Sequence, residues 1–172
     1  MLTGSSAVLV VNVLALVLFG PFLTLAHELG HAITGLLVTD RGWTAVVGDT
    51  AGYRLSVGSR LTVVFAPGAF RTPWFGFVRC DGDTALSRRA TVAVNLAGPL
   101  VSAVAAVGLF AAASATDWWV GDAVFVPLVL WQAFTVAATL APVRYPAGWG
   151  GYGGMESDGR RIVRAIRREP GD

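Results

Sequence analysis

From Met1 to Ala26 the chain has no charged side chain, and the apolar run continues to Val38, broken only by His27, Glu28 and His31. Such a run predicts a membrane-crossing helix over about 7–38. At about 1.5 Å per residue that helix is roughly 48 Å long, more than a ~30 Å hydrocarbon core needs, so it must tilt, protrude or bend. Gly20-Pro21 is the expected bend. A cleaved signal peptide is the competing reading, but it needs a basic leading segment, and Met1–Ser6 hold neither Lys nor Arg. Two further apolar stretches, 90–116 and 123–143, are each long enough to cross a bilayer.

Between the first and second stretches the pattern changes. Short runs at Trp43–Val47, Tyr53–Val57, Leu61–Ala66 and Trp74–Cys80 are separated by Gly48-Asp49, Gly58-Ser59 and Pro67-Gly68. These are strand and turn signals, and they predict a small antiparallel sheet at the membrane surface. After Val143 comes a Gly/Pro/aromatic loop, then 157–168, where Ile162, Val163 and Ile166 fall on one side among five arginines. That segment reads as a basic interfacial helix or as a solvated tail. The expected fold is mainly α, a single membrane-embedded unit over 1–172 with about three transmembrane helices.

Composition agrees: 54% of the 172 residues are hydrophobic and 14% charged, with a mean hydropathy of +0.61. These values are too apolar for an ordinary soluble domain. One cysteine, Cys80, cannot form an internal disulfide or a four-cysteine metal site. A net charge of +2 gives no reason to expect nucleic-acid binding. The placement of charge says more, because every basic residue is arginine. Seven lie in 39–89 and six after Val143, whereas the link between the second and third stretches holds only Asp117 and Asp122. The positive-inside rule then puts 39–89 and the C-terminal tail in the cytoplasm and the N-terminus outside a cell membrane. Trp118 and Trp119 are expected as outer interfacial anchors, with Trp149 and Tyr152 as inner ones.

The two histidines of the chain, His27 and His31, flank Glu28 in an HExxH run on the first predicted helix. Spacing of four places both imidazoles on one face, where they can hold one zinc ion while Glu28 reaches a water. Ionisable groups within an apolar helix are costly to bury and are candidates for function. A catalytic zinc usually takes a third protein ligand. Asp117 and Asp122 lie at the wrong end, and Asp40, Asp49, Asp81 and Asp83 read as turn residues. Asp158, reached through the glycine-rich loop, is the best remaining choice, with a helix cap as its alternative role. Asn95 in the second span is a candidate to bond a substrate carbonyl, or else a helix–helix contact. Gly98-Pro99 suggests close packing and a local bend, and Cys80 a reduced, noncatalytic thiol.

Taken together, these residues resemble the site-2 protease family of intramembrane zinc metalloproteases. His27-Glu28-Leu29-Gly30-His31 looks like its HExxH, Ala97-Gly98-Pro99 like its AGP element, and Ser157-Asp158-Gly159 like its LDG. The departures are Thr139-Leu140-Ala141-Pro142 in place of Asn-x-x-Pro, Ser157 for Leu, and Ser102 where many members have Asn. The resemblance implies His27, His31 and Asp158 as zinc ligands and Glu28 as general base. It also implies a minimal core, without a PDZ-like insertion, that cleaves a membrane protein or peptide near the cytoplasmic face and relies on a separate partner for substrate recognition. The alternative is a zinc-binding but inactive membrane scaffold that regulates a partner protein.

Overall fold

The computed structural model describes residues 4–82 and 84–167. Met1, Asp83 and the last residue of the 157–168 segment, Arg168, lie outside the described residues. The first apolar run forms α1 (Gly4–Val38), a continuous helix with Pro21 inside it. The second forms α2 (Arg88–Ala115), started by Ser87, whose hydroxyl accepts the Ala90 amide at 3.2 Å. The third is a helical run over Trp118–Leu140 made of α3 (Trp118–Val120), a π-type turn at Gly121–Phe125, and α4 (Val126–Leu140). It begins five residues before the expected start, because Thr116 and Asp117 alone make the link. All three are long and apolar enough to cross a membrane. Their outward faces are greasy: Leu9, Val13, Leu18, Phe22, Val104 and Phe110 are all exposed. In water such surface would be a liability, whereas in lipid it is the ordinary solvent-facing side of a helix.

The intervening segment forms β1 (Trp43–Val47), β2 (Tyr53–Val57), β3 (Leu61–Phe65) and β4 (Gly76–Cys80). The strand order is β2-β3-β1-β4. The sheet is mixed, not wholly antiparallel as expected: β1 pairs with β3 in parallel, while β1–β4 and β2–β3 are antiparallel. Burial explains the order. Apart from Thr44, β1 is apolar and buried, so it takes a central place, whereas β2 is exposed along its whole length and sits at an edge. The chain therefore crosses from β1 to the outer β2, turns tightly at Gly58 (φ +64°), and returns as β3 between them. Local periodicity carries strand positions but not this order.

A shared core joins the sheet to the helices. Ala32, Trp43, Ala45 and Val94 are buried together, with Leu29, Leu36 and Val78 packed around them. Trp43 packs on the C-terminal end of α1, its ring against Gly35 and its indole N–H donating to Thr39 Oγ1 just beyond the helix at 3.1 Å. A second tie lies deeper in the helix, where Thr24 Oγ1 donates to the Pro73 carbonyl at 2.6 Å. These two contacts hold β4 and the segment before it alongside the His-Glu stretch of α1.

A side chain at position 35 would overlap the Trp43 ring. Gly35→Ala is expected to lower stability by about 1–3 kcal/mol through overpacking, read as an earlier thermal unfolding midpoint in detergent, while Gly68→Ala, at an open position, leaves the midpoint near that of the parent.

Candidate metal centre

His27, Glu28 and His31 are all buried, at 6%, 5% and 3% exposure. One helical turn places the two imidazole edges together, with the Nε2 atoms 3.1 Å apart. Asp158 completes the group, its Oδ2 lying 3.6 Å from His27 Nε2 and 3.4 Å from His31 Nε2. The far ring nitrogens are also engaged. His31 Nδ1 donates to the Val94 carbonyl at 2.6 Å, and His27 Nδ1 lies 2.9 Å from Ser102 Oγ. A carbonyl only accepts, so the Val94 bond assigns the neutral His31 proton to Nδ1 and leaves a lone pair on Nε2.

Three possible ligand atoms thus face one point. Four-coordinate zinc with ligand bonds of about 2.0–2.1 Å has ligand atoms about 3.3 Å from one another, which is the spacing found here. The donor set, two imidazoles and a carboxylate, is also one that zinc accepts, and the backbone and hydroxyl partners of the rings are the kind that orient metal-binding histidines. Gly98 makes the room: a Cβ there would overlap His31 Nε2 and lie 2.7 Å from His27 Nε2. The close approach of α2 to α1 at this level depends on that missing side chain.

Asp158 owes its position to a short cap. Ser157 Oγ accepts the Arg160 amide at 3.1 Å and donates to the Ala141 carbonyl at 2.5 Å, starting α5 (Asp158–Arg167) against the end of α4. Ser157, not Asp158, is therefore the capping residue, and the Asp158 carboxylate is free to turn toward the histidines. Gly159 lies on the Leu140 carbonyl so closely that any side chain would collide with it. Glu156 anchors the same junction through Arg144, Arg160 and Arg164. Partial burial works against the Glu156 carboxylate, but hydrogen bonds from Arg164 and Arg160 outweigh it and hold its pKa below the ordinary value.

The cluster opens into a cavity of about 490 Å³ lined by α1, α4, β4 and the loop before α5. Glu28 sits at its wall against Gly76, where a Cβ would come within 2.9 Å of Glu28 Cγ and 3.1 Å of Oε1. Asn95 lines the cavity, and its Nδ2 donates one of its two N–H groups to the Thr91 carbonyl of its own helix at 2.7 Å. The remaining acidic candidates stay apart. Asp49 caps its own turn by accepting from Ala51, and Asp40 faces Arg60 at the surface. Among the described residues, His27, His31 and Asp158 form the group with metal-ligand spacing.

Gly98 has the close-packing role expected of it, as a cradle for both rings. Two residues carry a different role from the one their sequence context suggests. Ser102 is the partner of His27. Tyr152, expected as an interfacial anchor, instead points into the cavity wall: its hydroxyl accepts the Gly76 amide at 2.9 Å and donates to the Trp74 carbonyl at 2.8 Å. Burial, aided by the nearby Glu28 charge, pushes its phenol above the usual range, so it keeps the proton it donates. Only the small residue one helical turn beyond Gly98 hinted at Ser102, and nothing local marks Tyr152.

No protein-family model, curated protein or solved structure matches this chain.

Gly98→Ala is expected to lower bound metal sharply in a folded protein. Ser102→Ala, which removes only the partner of His27, should weaken metal affinity about 10–100-fold. Metal per chain after dialysis against graded chelator distinguishes the two; unchanged retention in both variants would mean that these rings are not held for a metal.

Proposed function

We propose that this protein is a zinc-dependent intramembrane endopeptidase of the site-2 protease type. The observation that carries the reading is the convergence of His27 Nε2, His31 Nε2 and Asp158 Oδ2 beside a buried glutamate and an open cavity. In this reading His27, His31 and Asp158 hold the ion. When bound, zinc supplies Lewis-acid chemistry, acidifying water and polarising a peptide carbonyl.

The remaining work falls to the chain. Glu28, at the cavity wall, takes a proton from the attacking water. The water oxygen adds to the scissile carbonyl carbon, the C–N bond breaks, and Glu28 returns the proton to the departing amine nitrogen. The Val94 carbonyl holds the His31 proton on Nδ1, which leaves Nε2 to the ion. Burial of the site within apolar helices requires a route for water, and the cavity between α4, β4 and the 144–157 loop provides one.

A substrate helix has its carbonyls occupied by its own hydrogen bonds, so it must unwind before one can be attacked. β4 is a sheet edge beside Glu28 and offers backbone groups to an extended segment. The arginine distribution supports a cytoplasmic position for the sheet and the tail, with the N-terminus outside, and hence cleavage near the cytoplasmic face. A membrane-associated protein or peptide is the substrate class that fits a site reached from within the bilayer.

The test pairs metal content with turnover. Full-length protein in proteoliposomes is given a panel of single-span reporter helices interrupted by Gly or Pro. Glu28→Gln should keep one zinc per chain and lose about 10²–10⁴-fold in rate, whereas Asp158→Ala should lose both metal and turnover. Zinc bound in both proteins, with no cleavage that depends on Glu28, would replace the protease by a zinc-holding scaffold that regulates a partner.

A further inference from the structure

In an antiparallel pair, each residue directs its N–H and C=O to one side, and successive residues alternate. The Phe75 carbonyl accepts the Gly48 amide and the Asp81 amide donates to the Gly42 carbonyl, so the odd-numbered residues of this segment face β1. Trp74, Gly76 and Val78 therefore direct their backbone groups outward, from an edge that no further strand covers among the described residues. At the end nearest Glu28, one atom fills this edge. Tyr152 Oη accepts from the Gly76 amide and donates to the Trp74 carbonyl, the donor and acceptor that an added strand would have to satisfy.

We propose that Tyr152 is a latch: it occupies the strand-pairing edge of β4 at the catalytic end, and an extended substrate must displace it to bind. The proposal rests on the protease reading above for the identity of the displacing segment. The latch is carried by a loop suited to release. Its base is fastened by Tyr145 N–H to the Met155 carbonyl and by Gly154 N–H to the Tyr145 carbonyl. Its tip contains Gly148, Gly150, Gly151 and Gly153, of which Gly150 has positive φ. The tip is held down by ring contacts: Tyr152 lies edge-on to Phe75 at 5.1 Å, and Gly151 is pressed on the Phe75 ring, where a side chain would collide. Beyond the latch, among the described residues, the Gly76 carbonyl and both backbone groups of Val78 have no partner. An incoming strand can pair there first and then take the Tyr152 positions, which brings its backbone to Glu28.

Tyr152→Phe keeps the ring against Phe75 and deletes the two hydrogen bonds. In the full-length Glu28→Gln background in detergent, a short fluorescein-labelled peptide of alternating Val and Thr should bind about tenfold more tightly once Tyr152 is Phe. The same peptide N-methylated at alternate residues, unable to pair as a strand, should gain nothing. Gly151→Ala, which lifts the tip off Phe75 without touching the hydroxyl, should shift binding in the same direction. Equal or weaker peptide binding in both variants overturns the latch. So does a Tyr152→Phe protein that, with Glu28 intact, binds the peptide as before but turns over more slowly, which would place the hydroxyl in the catalytic machinery. Failure of the protease reading shows separately, as absence of Glu28-dependent cleavage whatever residue stands at 152.

Discussion

Three lone-pair atoms meet inside a bundle whose other contents are largely apolar, and most of the local architecture follows from that one demand. Two imidazoles and a carboxylate cannot be left facing one another in a low-dielectric setting unless a cation or protons join them. The chain meets the demand with geometry. Gly98 lets α2 come close, Val94 and Ser102 orient the rings, and Ser157 starts α5 so that Asp158 turns inward. Gly159 permits α5 to lie on the last carbonyl of α4. Each of these residues contributes by position more than by its own chemistry.

The sheet answers a second demand, which is to bring backbone hydrogen-bonding groups to a buried acid. A helix cannot do this, because its own ladder uses them. β4 lies at an edge, so its outer groups are available, and the Thr24–Pro73 bond and the Trp43–Gly35 contact hold it against α1 at the level of Glu28. The exposed β2 lies at the opposite edge of the sheet from β4, away from the site. The polar site and the greasy exterior are therefore separated by the same few elements, and the 144–157 loop borders the cavity that leads to the site.

Much of this was legible in the sequence. A long uncharged run determines a helix because its backbone must satisfy itself in lipid, and the three apolar stretches reappear as three such helices. The interval between His27 and His31 fixes a shared face by helical geometry alone, whatever the rest of the chain does. The four strand positions follow from short apolar runs bounded by glycine and proline. Tertiary structure decided what depends on distant pairings. Strand order was settled by which strand could be buried, and that made the sheet mixed. The approach of Asp158, 127 residues beyond His31, came from a cap and a glycine contact that have no periodicity to read. Tyr152 shows the limit most clearly, since an aromatic residue in a glycine-rich loop looks like an interfacial anchor until the fold places the edge of β4 beside its hydroxyl. Local sequence sets backbone period and side-chain direction, whereas the partners of a polar group are chosen by packing between segments far apart in the chain.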